Sequence, residues 1–298
     1  KHMNKIFKVI WSKSKQCYVV VSEMAKNKTG KKKIVVASIL AALAMQTAGI
    51  TDVAAAPPIT DKPSEAIANG TVTSGKTNGL AIGNAANSGS NQSIAIGYFS
   101  EANAAEINPA LPATAVGAGA HATGQSTVAL GLAAYATSGK ATALGSKSLA
   151  SSDAAVAVGS GSQATGGYAS ALGADSTASG NDSTAFGHGT VASGGSSTAL
   201  GSRAKAVGTA GVAIGMLTNA TKDYGIAIGG ESSSTGDSSI AIGKKSSVTG
   251  GNGIAIGVST TSKGANGVAV GTNRTTAALG GVAVGQAAKS NKFNSVAM

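Results

Sequence analysis

Aromatic side chains are almost missing from this chain: Trp, Tyr and Phe together make 3% of its 298 residues. A core built around large rings is therefore excluded, and any core must be thin and assembled from Ala, Val, Ile and Leu. Charged residues are scarce too, at 12%, about half the usual share. Cysteine occurs once, at Cys17, and the sole tryptophan, Trp11, lies near it. That excludes a disulfide scaffold and a thiolate metal site downstream. The apolar stretch from Ile34 to Met45 has twelve residues, too few to span a bilayer as a helix.

The net charge of +11 divides unevenly. Residues 1–55 hold ten Lys and two acids, whereas the remainder holds thirteen Lys plus Arg against ten acids, a balance of +3. The long part of the chain thus lacks the basic surface that nucleic-acid binding needs, and no nucleic-acid partner is expected. The basic excess reads as an address. Lys1-His2 ahead of Met3 is expected to be a tag remnant, and 3–55 an extended signal peptide. Lys31-Lys32-Lys33 flank the apolar stretch at 34–45, and Val53-Ala54-Ala55 offers a cleavage site. A lead-in is expected at 56–79.

From Leu80 onward the sequence repeats. The motif Ala-[Ile/Leu/Val]-Gly places glycines at 83, 97, 117, 131 and then every 14 residues to 285. The one exceptional interval, Gly97 to Gly117, is 20 residues. Ala stands two before every glycine, and Ile, Leu or Val one before, with Phe186 in their place once. Apolar β-formers alternating with Ala predict a short strand. A second run follows each glycine, with small residues around a variable, often polar one, as at His121, Tyr135, Gln163, Lys205 and Asn219. That predicts a strand with one buried and one wet face. Glycines at the turns are expected to supply positive φ. One such coil cannot bury its own apolar face, but stacked coils can.

The fold class expected is therefore all-β, a parallel β-roll solenoid spanning 80–298. Fifteen coils at about 4.8 Å each give a rod of roughly 70 Å. The first strand is apolar on both faces, so one face needs cover beyond the roll. A second copy of the chain is the expected cover, giving an obligate homo-oligomer. Repeat-core and oligomer packing is expected from Ile96, Leu130, Leu144, Val158, Leu172, Phe186, Leu200, Ile214, Ile228, Ile242, Ile256, Val270 and Val284.

The units SIAIG (93–97), GVAIG (211–215) and GIAIG (253–257), with A-x-A-x-G between them, resemble the head repeats of trimeric autotransporter adhesins of the YadA type. NKIFKVIW with the later VVVSE is similar to the extended signal peptide of type V secreted proteins. The resemblance implies a left-handed roll, a homotrimeric head, and export to the surface and outer membrane of a Gram-negative-type cell. It implies attachment to a host cell-surface receptor, to a matrix protein (collagen, fibronectin, laminin or a cell-adhesion molecule) or to other bacteria. A structural rod serving autoaggregation or serum protection is the alternative. The family's neck, stalk and membrane anchor have no counterpart in 1–298. Membrane anchoring is expected only through a C-terminal region beyond these residues.

No enzyme or cofactor is expected. His121 and His188 fall at different phases of the repeat, and no serine has a Ser-His-Asp context. Gly159-Ser160-Gly161 lacks the strand–helix unit of a phosphate loop. Nonapeptide calcium rolls and hexapeptide β-helices have the wrong period. The insertion, placed at 98–113, is the most individual feature, and Tyr98, Phe99, Glu101 and Glu106 are its candidate ligand contacts.

Overall fold

A computed structural model describes residues 7–12, 17–22, 64–67, 69–72, 78–104 and 111–298. The chain divides into two units, Lys1–Thr60 and Asp61–Met298. In the first unit, strands Phe7–Ser12 and Cys17–Ser22 pair antiparallel. The apolar stretch at 34–45 and the cleavage site at 53–55 lie outside the described residues.

The second unit is a parallel β-solenoid. Each coil carries a short first strand around the motif Ala, of three residues in most coils and four in the first two, and a two-residue second strand. First strands pair with first strands in steps of 14, as in Val128↔Thr142 and Ala129↔Ala143. Second strands do the same, as in Tyr135↔Leu149. The two strand sets form two parallel sheets running the length of the unit. Hydrogen bonds between coils continue through the corners: Lys147 N–H donates to Leu132 O at 2.8 Å and Lys140 N–H to Gln125 O at 2.7 Å. Nearly the whole backbone circuit is thereby satisfied by its neighbours above and below.

The roll begins earlier than the motif count suggested. Ser64–Ile67 pairs in register with Gly79–Ile82, so a coil lies inside the expected lead-in 56–79. It escaped the count because Ala68 stands where the motif has glycine and the step is 15 residues. A second irregularity hides inside a regular interval. Thr276 pairs with Thr261 and with Lys289, steps of 15 and 13. One residue has moved from the second corner of that coil to the first, where Asn273 and Arg274 both adopt positive φ.

The motif glycines adopt the expected positive φ, but positive φ at the corners is not confined to glycine. Most coils have two left-handed corner residues, and most of these are not glycine: Lys147, Arg203 and Glu231 at one corner, Lys140, Tyr168 and Asp182 at the other. A left-handed L-residue costs roughly 1–2 kcal/mol, and coil-to-coil hydrogen bonds at the same corners offset it. The motif glycines do a different job. Their φ runs from 114° to 156°, and a Cβ on Gly83 would sit 2.7 Å from the carbonyl oxygen of Gly97 on the next coil. The glycines that close the unit, such as Gly166 and Gly180, have no positive φ. Their missing Cβ leaves room for the next coil's carbonyl.

The interior is made of small side chains. Every motif alanine from Ala81 to Ala283 is fully buried. The second strand adds another alanine column, including Ala122, Ala136 and Ala150. Buried hydroxyls fill the corner beside it. Ser148, Ser162, Ser176 and Thr190 each donate to the motif-glycine carbonyl three residues back, at 2.8–2.9 Å, which satisfies them locally. Val248 is the largest fully buried side chain. Gly253 faces it, and a Cβ there would lie 2.6 Å from Val248 Cγ1.

Two stability outcomes follow from this packing. Gly173→Ala brings a Cβ into the backbone of the next coil at a φ of 129° and is expected to cost roughly 3 kcal/mol. Urea unfolding followed by circular dichroism checks it; an unchanged midpoint contradicts it. Gly253→Ala alone is expected to cost about 1–3 kcal/mol, and Val248→Ala in the same chain to recover most of that loss. Additive losses in the double variant would contradict the shared-volume account.

Candidate functional site

Two surfaces stand out on the solenoid, and neither has the geometry of a catalytic pocket. The first is the outer face of the first-strand sheet. Because alanine points inward, both its neighbours point outward. The repeat core therefore belongs to the alanines, and Ile96, Leu130, Leu144, Val158, Leu172, Phe186, Leu200, Ile214, Ile228, Ile242, Ile256, Val270 and Val284 form a column on the outer face. Leu130, Leu144 and Leu200 are about two-fifths exposed and Phe186 is 52% exposed. A parallel column two residues back carries Leu80, Ile94, Val128, Val156 and their successors. The face is predominantly apolar, broken in the second column by Thr114, Thr142, Ser170, Thr184 and Thr198, whereas isolated soluble proteins seldom expose contiguous apolar patches beyond a few hundred Å².

The second surface is a corner near the N-terminal end of the roll. Tyr98 and Phe99 are 58% and 54% exposed, with ring centroids 4.4 Å apart in an edge-to-face contact. They follow Gly97 as any corner pair follows its glycine. Phe99 has φ 53° and donates its N–H to Asn84 O at 3.0 Å, the pattern of Lys147 three coils on. They therefore belong to the scaffold and not to the insertion. The register of Glu101–Ala102 and of Thr114–Val116 with their neighbours places the six extra residues between those two strands. Glu106 lies outside the described residues.

Glu101 sits on the wet face of the second strand, paired with His121. His121 Nδ1 lies 3.1 Å from Glu101 Oε2, and its ring stacks on Tyr135 with centroids 5.0 Å apart and planes within 3°. The structure thus brings Tyr98, Phe99 and Glu101 onto one coil and adds His121 and Tyr135 from the next two. Leu132, 56% exposed, extends the apolar corner two coils on from Tyr98, with Ala118 and Gly119 between them. In the sequence His121 and Tyr135 stand out only as outward residues; their shared phase in the repeat was the signal that they stand in one column with Glu101.

Most of the remaining titratable groups are corner residues, with Lys205 and Lys289 on second strands. His188 Nε2 is 3.9 Å from Asp175 Oδ2, and Lys245 Nζ is 3.7 Å from Glu231 Oε2, each pair joining successive coils at the surface. Asp223 accepts the Thr209 N–H at 2.8 Å across one coil step. Among the described residues no three His, Cys, Asp or Glu side chains gather as metal ligands would. Such pairs in water contribute little energy each.

Comparison with known proteins follows the same division of the chain. Residues 3–50 match the extended signal peptide of the type V secretion system. Residues 74–100, 112–134, 136–162, 164–190, 192–218, 220–246 and 249–273 match the YadA head domain repeat. The curated proteins contain no match. Among solved structures, the collagen-binding domain of the Yersinia adhesin YadA aligns at 22% identity over 68% of this chain and 79% of that one, with a TM-score of 0.25. Head repeats covering more than half of its length, behind an extended type V signal peptide, establish that the chain belongs to the YadA-type trimeric autotransporter adhesins.

Proposed function

We propose that residues 64–298 form the head of an exported surface adhesin that acts by multivalent, non-catalytic binding. The observation that carries this reading is the array itself. Every coil presents the same positions to solvent at a step of about 4.8 Å. Weak contacts repeated along a fibrous or crowded ligand then multiply, and linked weak sites gain apparent affinity of roughly 10²–10⁴. A matrix protein such as collagen, fibronectin or laminin is a ligand of that kind, and a host cell-surface receptor is another. The extended signal peptide supports export to the cell surface.

The alternative of a purely structural rod would be favoured by uniformly polar corners. Exposed apolar side chains break that uniformity at several corners, among them Tyr168, Met216–Leu217 and Tyr224, but two adjacent rings stand together at the Tyr98–Phe99 corner, which Leu132 continues. It supports ligand contact through Tyr98, Phe99 and Glu101, with Glu106 in the neighbouring insertion as a further contact. The apolar outer face supports a homotrimer. Three copies closing around that face would bury the branched column and leave the corners facing outward.

Light scattering on the purified chain is expected to give three times the chain mass; a stable monomer contradicts the trimer. The double variant Tyr98→Ser/Phe99→Ser is expected to keep that mass while losing at least tenfold in attachment to surfaces coated with collagen, fibronectin or laminin, or to host cells. Undiminished attachment on all of them removes the corner as a binding site. Deleting residues 105–110 restores the 14-residue interval and separates the loop from the corner. Attachment that survives this deletion excludes Glu106.

A further inference from the structure

A regular solenoid has a problem when it packs against copies of itself. Sliding one chain by one coil, about 4.8 Å, brings each residue opposite its own repeat. From Val212 to Val284 the outer face of the first sheet carries only Ile and Val in both of its columns. In that stretch a slipped alignment buries nearly the same groups as a correct one. Register is weakly specified wherever a pattern repeats without a mark.

The face carries one such mark. Phe186 is the only aromatic side chain in its column and is 52% exposed, while its register neighbours are Leu172 and Leu200. In the column beside it, the same three coils carry Ser170, Thr184 and Thr198. This is the only place on the face where three successive coils have small polar residues there. Thr114 and Thr142 stand singly, each followed by valine on the next coil. The small residues are centred on the coil of Phe186 itself. A phenyl ring is wider than one coil step, so bedding it requires small neighbours above and below as well as opposite.

We infer that Phe186 and the Ser170–Thr184–Thr198 hollow are a knob and socket that fix the axial register of chain-on-chain association. Knob and socket lie on one face at one height. In a closed ring of identical chains each knob then meets the next chain's socket with no axial offset. A slip of one coil decentres the ring, and a slip of two sets it against Val156 or Val212. The uniform Ile/Val stretch supplies buried area, and the Phe186 coil supplies alignment. The inference rests on the reading that copies of this chain cover the apolar face.

The test uses the full chain with an aliphatic diazirine amino acid at Ile242, inside the uniform stretch, which photo-couples to whatever lies against it. Mixing isotopically light and heavy chains identifies couplings between copies. With Phe186 present, the inter-chain adducts are expected on one coil of the partner. In Phe186→Leu, which only repeats the residue of the neighbouring coils, the oligomer mass is expected to persist while adducts spread over three or more coils. Phe186→Tyr is expected to restore the single site. Adducts confined equally in Phe186→Leu, or already scattered with Phe186 present, overturn the register key while leaving self-association standing. A monomer mass with no inter-chain adducts overturns the self-association reading itself, and the key with it.

Discussion

Everything in this solenoid follows from stacking at strand spacing. Once coils pair in register, each position of the repeat meets its own counterpart about 4.8 Å above and below. A side chain therefore has to tolerate itself as a neighbour, over and over. Inside the roll the two sheets lie close, and alanine, serine and threonine are what fit. Many of the hydroxyls donate to the corner carbonyl three residues back, as at Ser148 and Ser176, although those of Ser183, Ser197, Ser232 and Ser246 are buried without a partner. The motif glycine is fixed by the same rule, since its column brings one backbone directly onto the next. Val248 shows how narrow the margin is: this valine, the one fully buried among the described residues, stands opposite a glycine.

The same geometry decides which surface is left over. Alanine points inward, so the branched residues on either side of it point outward and no part of the roll covers them. A thicker fold would bury both faces of such a strand within one chain. This coil is too small to do so. Cover must come from outside the roll, and a face with the same two columns at every height suits another copy of the same rod. On the proposed trimer, the cohesion of the head would be divided between an alanine interior within each chain and an aliphatic exterior between chains.

Much of this was legible in the sequence because the period is written in glycine. Counting Ala-x-Gly gave the coil, the two strands and the wet face of the second strand. Which face of the first strand turned inward was not legible, because Ala and Ile are both apolar and only the space inside the coil separates them. The coil at Ser64–Ile67 was hidden because alanine replaces its glycine. The corner residues were misread because backbone conformation there is imposed by coil-to-coil hydrogen bonds, which hold Lys, Asp and Tyr in a region glycine prefers. The contact of Glu101 with His121 was concealed by the insertion, which puts 20 residues between two neighbours that normally stand 14 apart.

That last case bears on where a repetitive rod acquires individuality. Extra residues enter between the second strand of one coil and the first strand of the next, and both sheets continue across the gap in register. The coil at 271–285 tolerates a residue moved from one corner to the other for the same reason. Corners absorb changes in length, while the strand positions do not, because a one-residue slip in a strand turns its buried side chains outward. Outward positions are free in identity without any change in length. Tyr98 and Phe99 occupy an unmodified corner, and Phe186 occupies an unmodified strand. An aromatic side chain at an outward position of an otherwise small-residue rod changes what the surface can hold, and it does so without disturbing a single stacked column inside.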